Sequence, residues 1–271
     1  MSTVIPTHYA QEPFFAVPTT TVSTSTGAVD LPILYYDNSN VFALFSADPD
    51  AVADKLAGTG LVPAIHFGHR PVVAVALYEY RQTSIGPYNE VGVGILVNPE
   101  GSKRHRPLTG WTQLLRSPDR REQGAYILDL PVTTREACAA GSEIWGYPKF
   151  VAPISFELGG GRFSSVTEDP DDGSTIMELS GRAVPVLPTP PMPLVLYSFN
   201  HGAMVRTNVD LRNGMQAHLP GGLKLRVGTS RHRMANNLRD LGLDGARPFA
   251  VASTDRFQSR LNAGVAYAAG R

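Results

Sequence analysis

Gly141-Ser142-Glu143-Ile144-Trp145-Gly146-Tyr147-Pro148-Lys149-Phe150 is the stretch around which the rest of the chain arranges itself. Pro148 fixes its own φ and pushes Tyr147 towards an extended backbone, so no helix runs through this segment. The chain must turn at Gly146 and enter a strand that continues into Val151-Ala152-Pro153-Ile154, carrying Lys149 in among Trp145, Tyr147 and Phe150. Lysine is among the residues least often buried. Apolar company disfavours its ammonium form, and a neutral amine is a nucleophile towards ketones. Arginine carries most of the positive charge elsewhere, the lysines being only Lys55, Lys103, Lys149 and Lys224, so a lysine in an apolar setting stands out.

Upstream, Thr133 or Thr134 caps a short helix that Gly141 is expected to end, delivering the chain to the lysine segment. Before it, residues 71–80, 88–97 and 125–132 are apolar runs of strand length. An Arg-rich stretch over 102–123 reads as an exposed excursion. Asp48 with Pro49 opens a helix that carries Val52 and Leu56. Residues 1–30 form an arm, Thr/Ser-rich over 19–26, that packs on the domain or on a partner subunit; 31–271 form a single domain. Downstream, 151–158 and 162–166 flank a Gly159-Gly160-Gly161 turn, and the proline-rich 185–193 reads as an extended, unpaired crossover. A last helix is expected over 230–241 and a final strand over 249–253. Many short strands with few short helices predict a β-rich α+β domain, antiparallel and closed or nearly so.

Composition excludes several classes. Twenty-four basic and 24 acidic side chains balance, so bulk charge points neither to nucleic acid nor to an anionic membrane. A mean hydropathy of −0.10 describes a globular chain, and no apolar run nears the roughly 20 residues of a membrane span. The N-terminus lacks a signal-peptide pattern, and Cys138 is the only cysteine, which rules out an internal disulfide; the expected compartment is the cytoplasm. His66 and His69 have no third ligand nearby, so no metal is expected.

Glu143-Ile144-Trp145-Gly146-Tyr147-Pro148-Lys149 strongly resembles the active-site segment of the acetoacetate decarboxylase family, whose lysine forms a Schiff base with a keto acid. The resemblance implies a cone-shaped β-barrel with a few short outer helices, the lysine inside, no cofactor, and a tendency to form homo-oligomers. Ile85-Gly86-Pro87-Tyr88-Asn89-Glu90 resembles a second family segment, which places a glutamate facing the lysine. A carboxyl in an apolar strand is costly unless protonated or paired, and so suits proton transfer. Two departures stand out. The decarboxylases carry a second lysine where this chain has Phe150, and Asn38 falls where they place the arginine that holds the substrate carboxylate.

The expectation is therefore a cofactor-free lyase in which Lys149 forms an imine with a small oxo acid and Glu90 moves protons. Asn38, Tyr88, Tyr147, Trp145 and Phe150 are the candidates for the substrate pocket, the aromatic ones serving equally well as core. The two departures put aldolase–dehydratase chemistry on a pyruvate-like 2-oxo acid, with an aldehyde as co-substrate, slightly ahead of 3-oxo acid decarboxylation. A non-catalytic binding protein on the same fold is the remaining alternative.

Overall fold

The computed structural model describes Tyr9, residues 11–102 and residues 107–267. Eight strands matter most: β1 (Ile33–Ser46), β2 (Arg70–Thr83), β3 (Tyr88–Pro99), β4 (Gly124–Val132), β5 (Lys149–Val151), β6 (Leu194–Asn200), β7 (Ala203–Arg212) and β8 (Ala250–Leu261). All but β5 close into a barrel, in the order β8-β1-β2-β3-β4-β6-β7 and back to β8. Every junction is antiparallel except β4 with β6; β5 also lies parallel to β4 as an extra strand beside it. Closure removes free sheet edges from this part of the molecule.

Apolar runs such as β2 and β3 are continuous because both faces of these strands are covered. The outward set, Val41, Ala43, Phe45, Val73, Val75, Val91, Val93 and Ile95, forms one core with the outer layer. That layer comprises helix α1 (Pro49–Leu56), a second sheet (Glu157–Gly159, Arg162–Glu168, Thr175–Arg182, Leu223–Val227) and a C-terminal helix, Arg233–Asp240. Asp48 caps α1 as its sequence suggests, accepting from the amides of Asp50 and Ala51. The buried Asp129 on β4 pins the C-terminal helix, taking Arg233 at 2.8 Å and Asn237 at 2.7 Å.

Three segments differ from their expected form. The proline-rich crossover is not unpaired: Pro185–Thr189 pairs with Met215–His218, an edge position where missing amide donors are tolerated. The Arg-rich excursion contains helix α2 (Pro107–Gln113) and a 3-10 turn, and Gln113, Arg121 and Gln123 are buried against the barrel. The helix before the lysine, α3 (Arg135–Trp145), passes through Gly141 and stops at Gly146. Among the described residues before β1, Phe15 is buried against Tyr36 and a hairpin (Thr20–Thr24, Gly27–Leu31) is anchored by Ser25 to Glu143. Among the described residues no helix is long and apolar enough to cross a membrane.

Candidate active site

Thr134 caps α3 through its hydroxyl, and Gly146 ends the helix in the left-handed region at φ 68°, which favours glycine. A Cβ at Gly146 would also stand 2.1 Å from the Phe199 carbonyl oxygen, so the turn requires glycine twice over. A tight turn centred on Pro148 follows, the Lys149 amide donating to the Tyr147 carbonyl at 2.7 Å, and Lys149 enters β5 in register with Leu130 of β4. Strand alternation sends Lys149 into the barrel and Phe150 out of it. Phe150 packs on the His232 ring, 4.3 Å between centroids.

The Lys149 side chain is 6% exposed and runs beneath α3. Gly141 makes room for it, since a Cβ there would stand 2.2 Å from the lysine Cε. Its Nζ lies 2.5 Å from a Glu90 carboxylate oxygen, and the Glu90 side chain is itself only 10% exposed. Glu90 sits on β3 opposite Tyr78 of β2, which in turn opposes Asn40 of β1, so these three share an inward row. The neighbouring row is aromatic: Tyr80 donates to Glu90 at 3.4 Å, and the Tyr35 and Tyr88 hydroxyls bond each other at 3.0 Å. Burial, reinforced by the Glu90 charge, pushes the hydroxyls of Tyr35, Tyr78, Tyr80, Tyr88 and Tyr147 upward, so all five stay neutral proton donors.

These groups stand at one end of a cavity of about 160 Å3 inside the barrel. Lys149, Glu90, Tyr35, Tyr78, Tyr80, Asn40 and Tyr147 line it at this end. Of the candidates read from sequence, Lys149, Glu90 and Tyr147 line the cavity. Tyr88 lies just behind, its ring centre 5.7 Å from Nζ. Asn38, Trp145 and Phe150 do not line it. Asn38 is fully buried behind the tyrosine layer and donates to the Phe257 carbonyl at 2.8 Å. Trp145 is fully buried, stacked on Tyr147, with its indole N–H donating to the Asn262 carbonyl. Its role is to hold the Tyr147 ring rather than to wall the pocket.

Sequence reasoning overlooked Tyr35, Tyr78, Tyr80, Asn40 and Arg121. The period-2 alternation of β2 puts Tyr78 and Tyr80 on one face, and that signal was available; their register against Glu90 was not. Arg121 was hidden in a charged stretch. It is 7% exposed, donates to the carbonyls of Gln113 and Pro193, and lines the cavity. Burial, followed by the charge of Arg206, lowers its guanidinium to about 10. His66 and His69 are exposed, and among the described residues no cluster of three His, Cys, Asp or Glu is placed to hold a metal.

The acetoacetate decarboxylase (ADC) family profile matches residues 15–198. The chain belongs to this family. No curated protein sequence matches it. Among solved structures, an acetoacetate decarboxylase from Legionella pneumophila superposes with a TM-score of 0.63 at 14% identity, covering 99% of this chain and 98% of that one. The enduracididine biosynthesis enzyme MppR, complexed with the condensation product of pyruvate and imidazole 4-carboxaldehyde, gives 0.58 at 16% identity over 88% of this chain and 90% of that one. An acetoacetate decarboxylase-like enzyme from Sphingomonas wittichii RW1 gives 0.57 at 13% identity over 89% and 94%. At these identities the neighbours show the fold alone.

Geometrically, Nζ and the Glu90 carboxylate stand close enough for a proton to pass between them without an intervening water. The surrounding phenols supply donors to any oxygen that approaches the pair.

Proposed function

We propose that the protein is a carbon–carbon lyase that works through an imine between Lys149 and an oxo acid. The observation that carries this reading is the 2.5 Å Lys149–Glu90 contact at the closed, tyrosine-lined end of an apolar cavity. After proton transfer to Glu90, the amine nitrogen attacks the substrate carbonyl carbon and water leaves, giving an iminium. With a 3-oxo acid, the bond to the carboxylate then breaks. Its electron pair moves into the iminium, CO2 departs, and an enamine remains. Glu90, which gives its first proton to the departing hydroxyl and takes up another from solvent, protonates the enamine carbon, and hydrolysis releases a ketone and frees Lys149.

The lining of the cavity weighs towards decarboxylation. Among the described residues that line the cavity, Lys149 and Arg121 are the cations, and Arg121 sits by the start of β4 while Lys149 sits near its end. No second cation beside Lys149 is therefore available to hold the carboxylate of a small 2-oxo or 3-oxo acid. A substrate that sheds its charge as CO2 also suits apolar walls. The aldolase–dehydratase reading is supported by the neighbour solved with pyruvate and with its condensation product. There the enamine of a 2-oxo acid would add to an aldehyde, with a tyrosine hydroxyl protonating the new alkoxide.

Borohydride reduction in the presence of 2-oxo and 3-oxo acids tests the imine. A mass adduct on Lys149, absent from Lys149→Ala, is expected. CO2 release against consumption of an added aldehyde then separates the two reactions. No adduct with any oxo acid would leave the binding-protein reading standing.

A further inference from the structure

The walls of the cavity beyond the lysine are built for something larger than acetoacetate. Three successive inward rows cross β1, β2 and β3. The first is Asn40, Tyr78 and Glu90; the second Phe42, Ala76 and Gly92; the third Leu44, Ala74 and Gly94. On these three strands polarity stops after the first row, and Arg121 restores it near the start of β4, at the far end of the cavity. In the second and third, β2 and β3 present only alanine and glycine, and Gly124 and Ala125 of β4 extend the same smooth wall. Phe42, Leu44, Leu196 and Leu211 line the rest of the cavity without being fully buried. Barrels of this size ordinarily fill their interior with side chains. Here one wall has been pared back to backbone and methyl groups.

Dimensions turn this into a substrate class. Glu90, Gly92, Gly94 and Leu96 all line the cavity, and the six residues separating the first from the last span roughly 20 Å of strand. A round apolar cavity of about 150 Å3 admits benzene. The 160 Å3 available here is of that size, a slot for roughly six carbons. A backbone of three bonds per residue advances 3.3–3.6 Å, or about 1.2 Å per bond. Six carbons at that rise reach about 7 Å beyond the carbonyl, along the second row towards the third.

We infer that the substrate is an oxo acid bearing a medium-length unbranched apolar tail, with its carbonyl at Lys149 and its tail along the alanine–glycine wall. This rests on the imine reading above and names the substrate for that site. Burial of the tail replaces the ionic grip on the carboxylate that Asn38 does not supply. It also lets remote binding energy seat the carbonyl against Nζ.

The test uses methyl ketones, the decarboxylation products of this class, from 2-butanone to 2-decanone, with calorimetric affinity as readout. Each added methylene should tighten binding about fourfold until the slot is full. Ala74→Leu, which fills the third row, should move the break in the series to shorter tails, and Ala76→Val should do so more mildly. For turnover, kcat/KM on 3-oxo acids should climb along the same series and fall most for long tails in Ala74→Leu. Repeating the ketone series in Lys149→Met separates slot from chemistry. Chain-length dependence retained there, with no borohydride adduct in the wild type, overturns the imine reading and keeps the slot as a ligand site. An adduct on Lys149 with affinity flat along the series, or a break unmoved by both variants, overturns the inferred tail and leaves the imine standing.

Discussion

Replacing Gly141 by alanine adds one methyl group where α3 crosses the Lys149 side chain. The new Cβ would stand 2.2 Å from Cε, 2.4 Å from Cδ and 3.2 Å from Nζ. Carbon atoms in contact sit about 3.5–4.0 Å apart, so the lysine tip must withdraw by about 1 Å or more. It can do so because only a flexible methylene chain is struck, not backbone. Glycine in a helix interior costs about 1 kcal/mol relative to alanine, and that gain offsets the strained Lys149–Glu90 contact. Stability should thus change little, with Tm within a few degrees of wild type. Activity should not survive so well, since a misplacement of about 1 Å at a reacting group costs on the order of a hundredfold. The assay pairs thermal unfolding with the rate of borohydride trapping on Lys149. A Gly141→Ala protein that folds and traps at the wild-type rate would refute the claim that this glycine positions the amine. One that fails to fold would refute the claim that the lysine alone absorbs the clash.

Two further outcomes follow from the same coordinates. Removing one member of a buried ion pair strands the other, at a cost of about 3–5 kcal/mol, whereas removing both does not. Glu90→Leu and Lys149→Met should each lower stability in urea, and the double variant should recover most of the loss; additive losses would contradict a coupled pair. His218 is buried, bonded to Ser253 at 2.7 Å, and burial lowers its imidazole below the ordinary value. A depressed folded-state value gives stability that is full above the unfolded value of about 6.5 and lost as pH falls below it. Tm should therefore drop between pH 7 and pH 5, and His218→Gln should flatten that drop; parallel slopes would exclude the histidine as its source.

How much of this was readable beforehand depended on distance along the chain. The helix caps at Asp48 and Thr134, the break at Gly146-Tyr147-Pro148 and the strand runs all follow from interactions within a few residues. So does the exposure of Lys149 to an aromatic setting. Gly141 was misread for an instructive reason. A glycine near the end of a helix ordinarily marks its stop, but this one is needed by a side chain eight residues on, a contact that no local rule reports. Phe150 was assigned to the pocket because it adjoins the lysine, yet in a strand adjacent residues face opposite ways. Arg121 was lost in a run of charges whose burial depends on the barrel it packs against.

By itself the sequence determined what each segment does locally, namely that Lys149 begins a strand after a forced turn and that Glu90 lies in an apolar run. Those outcomes are set by φ restriction, capping and alternation, which act over one or two turns of chain. Tertiary structure alone decided that Nζ meets Glu90, that five phenols surround the pair, and that an alanine–glycine wall leads away from it. Strand register and barrel closure join residues as far apart in the chain as Ile33 and Leu261. No local preference encodes that pairing, because it is the burial of both sheet faces together that selects it.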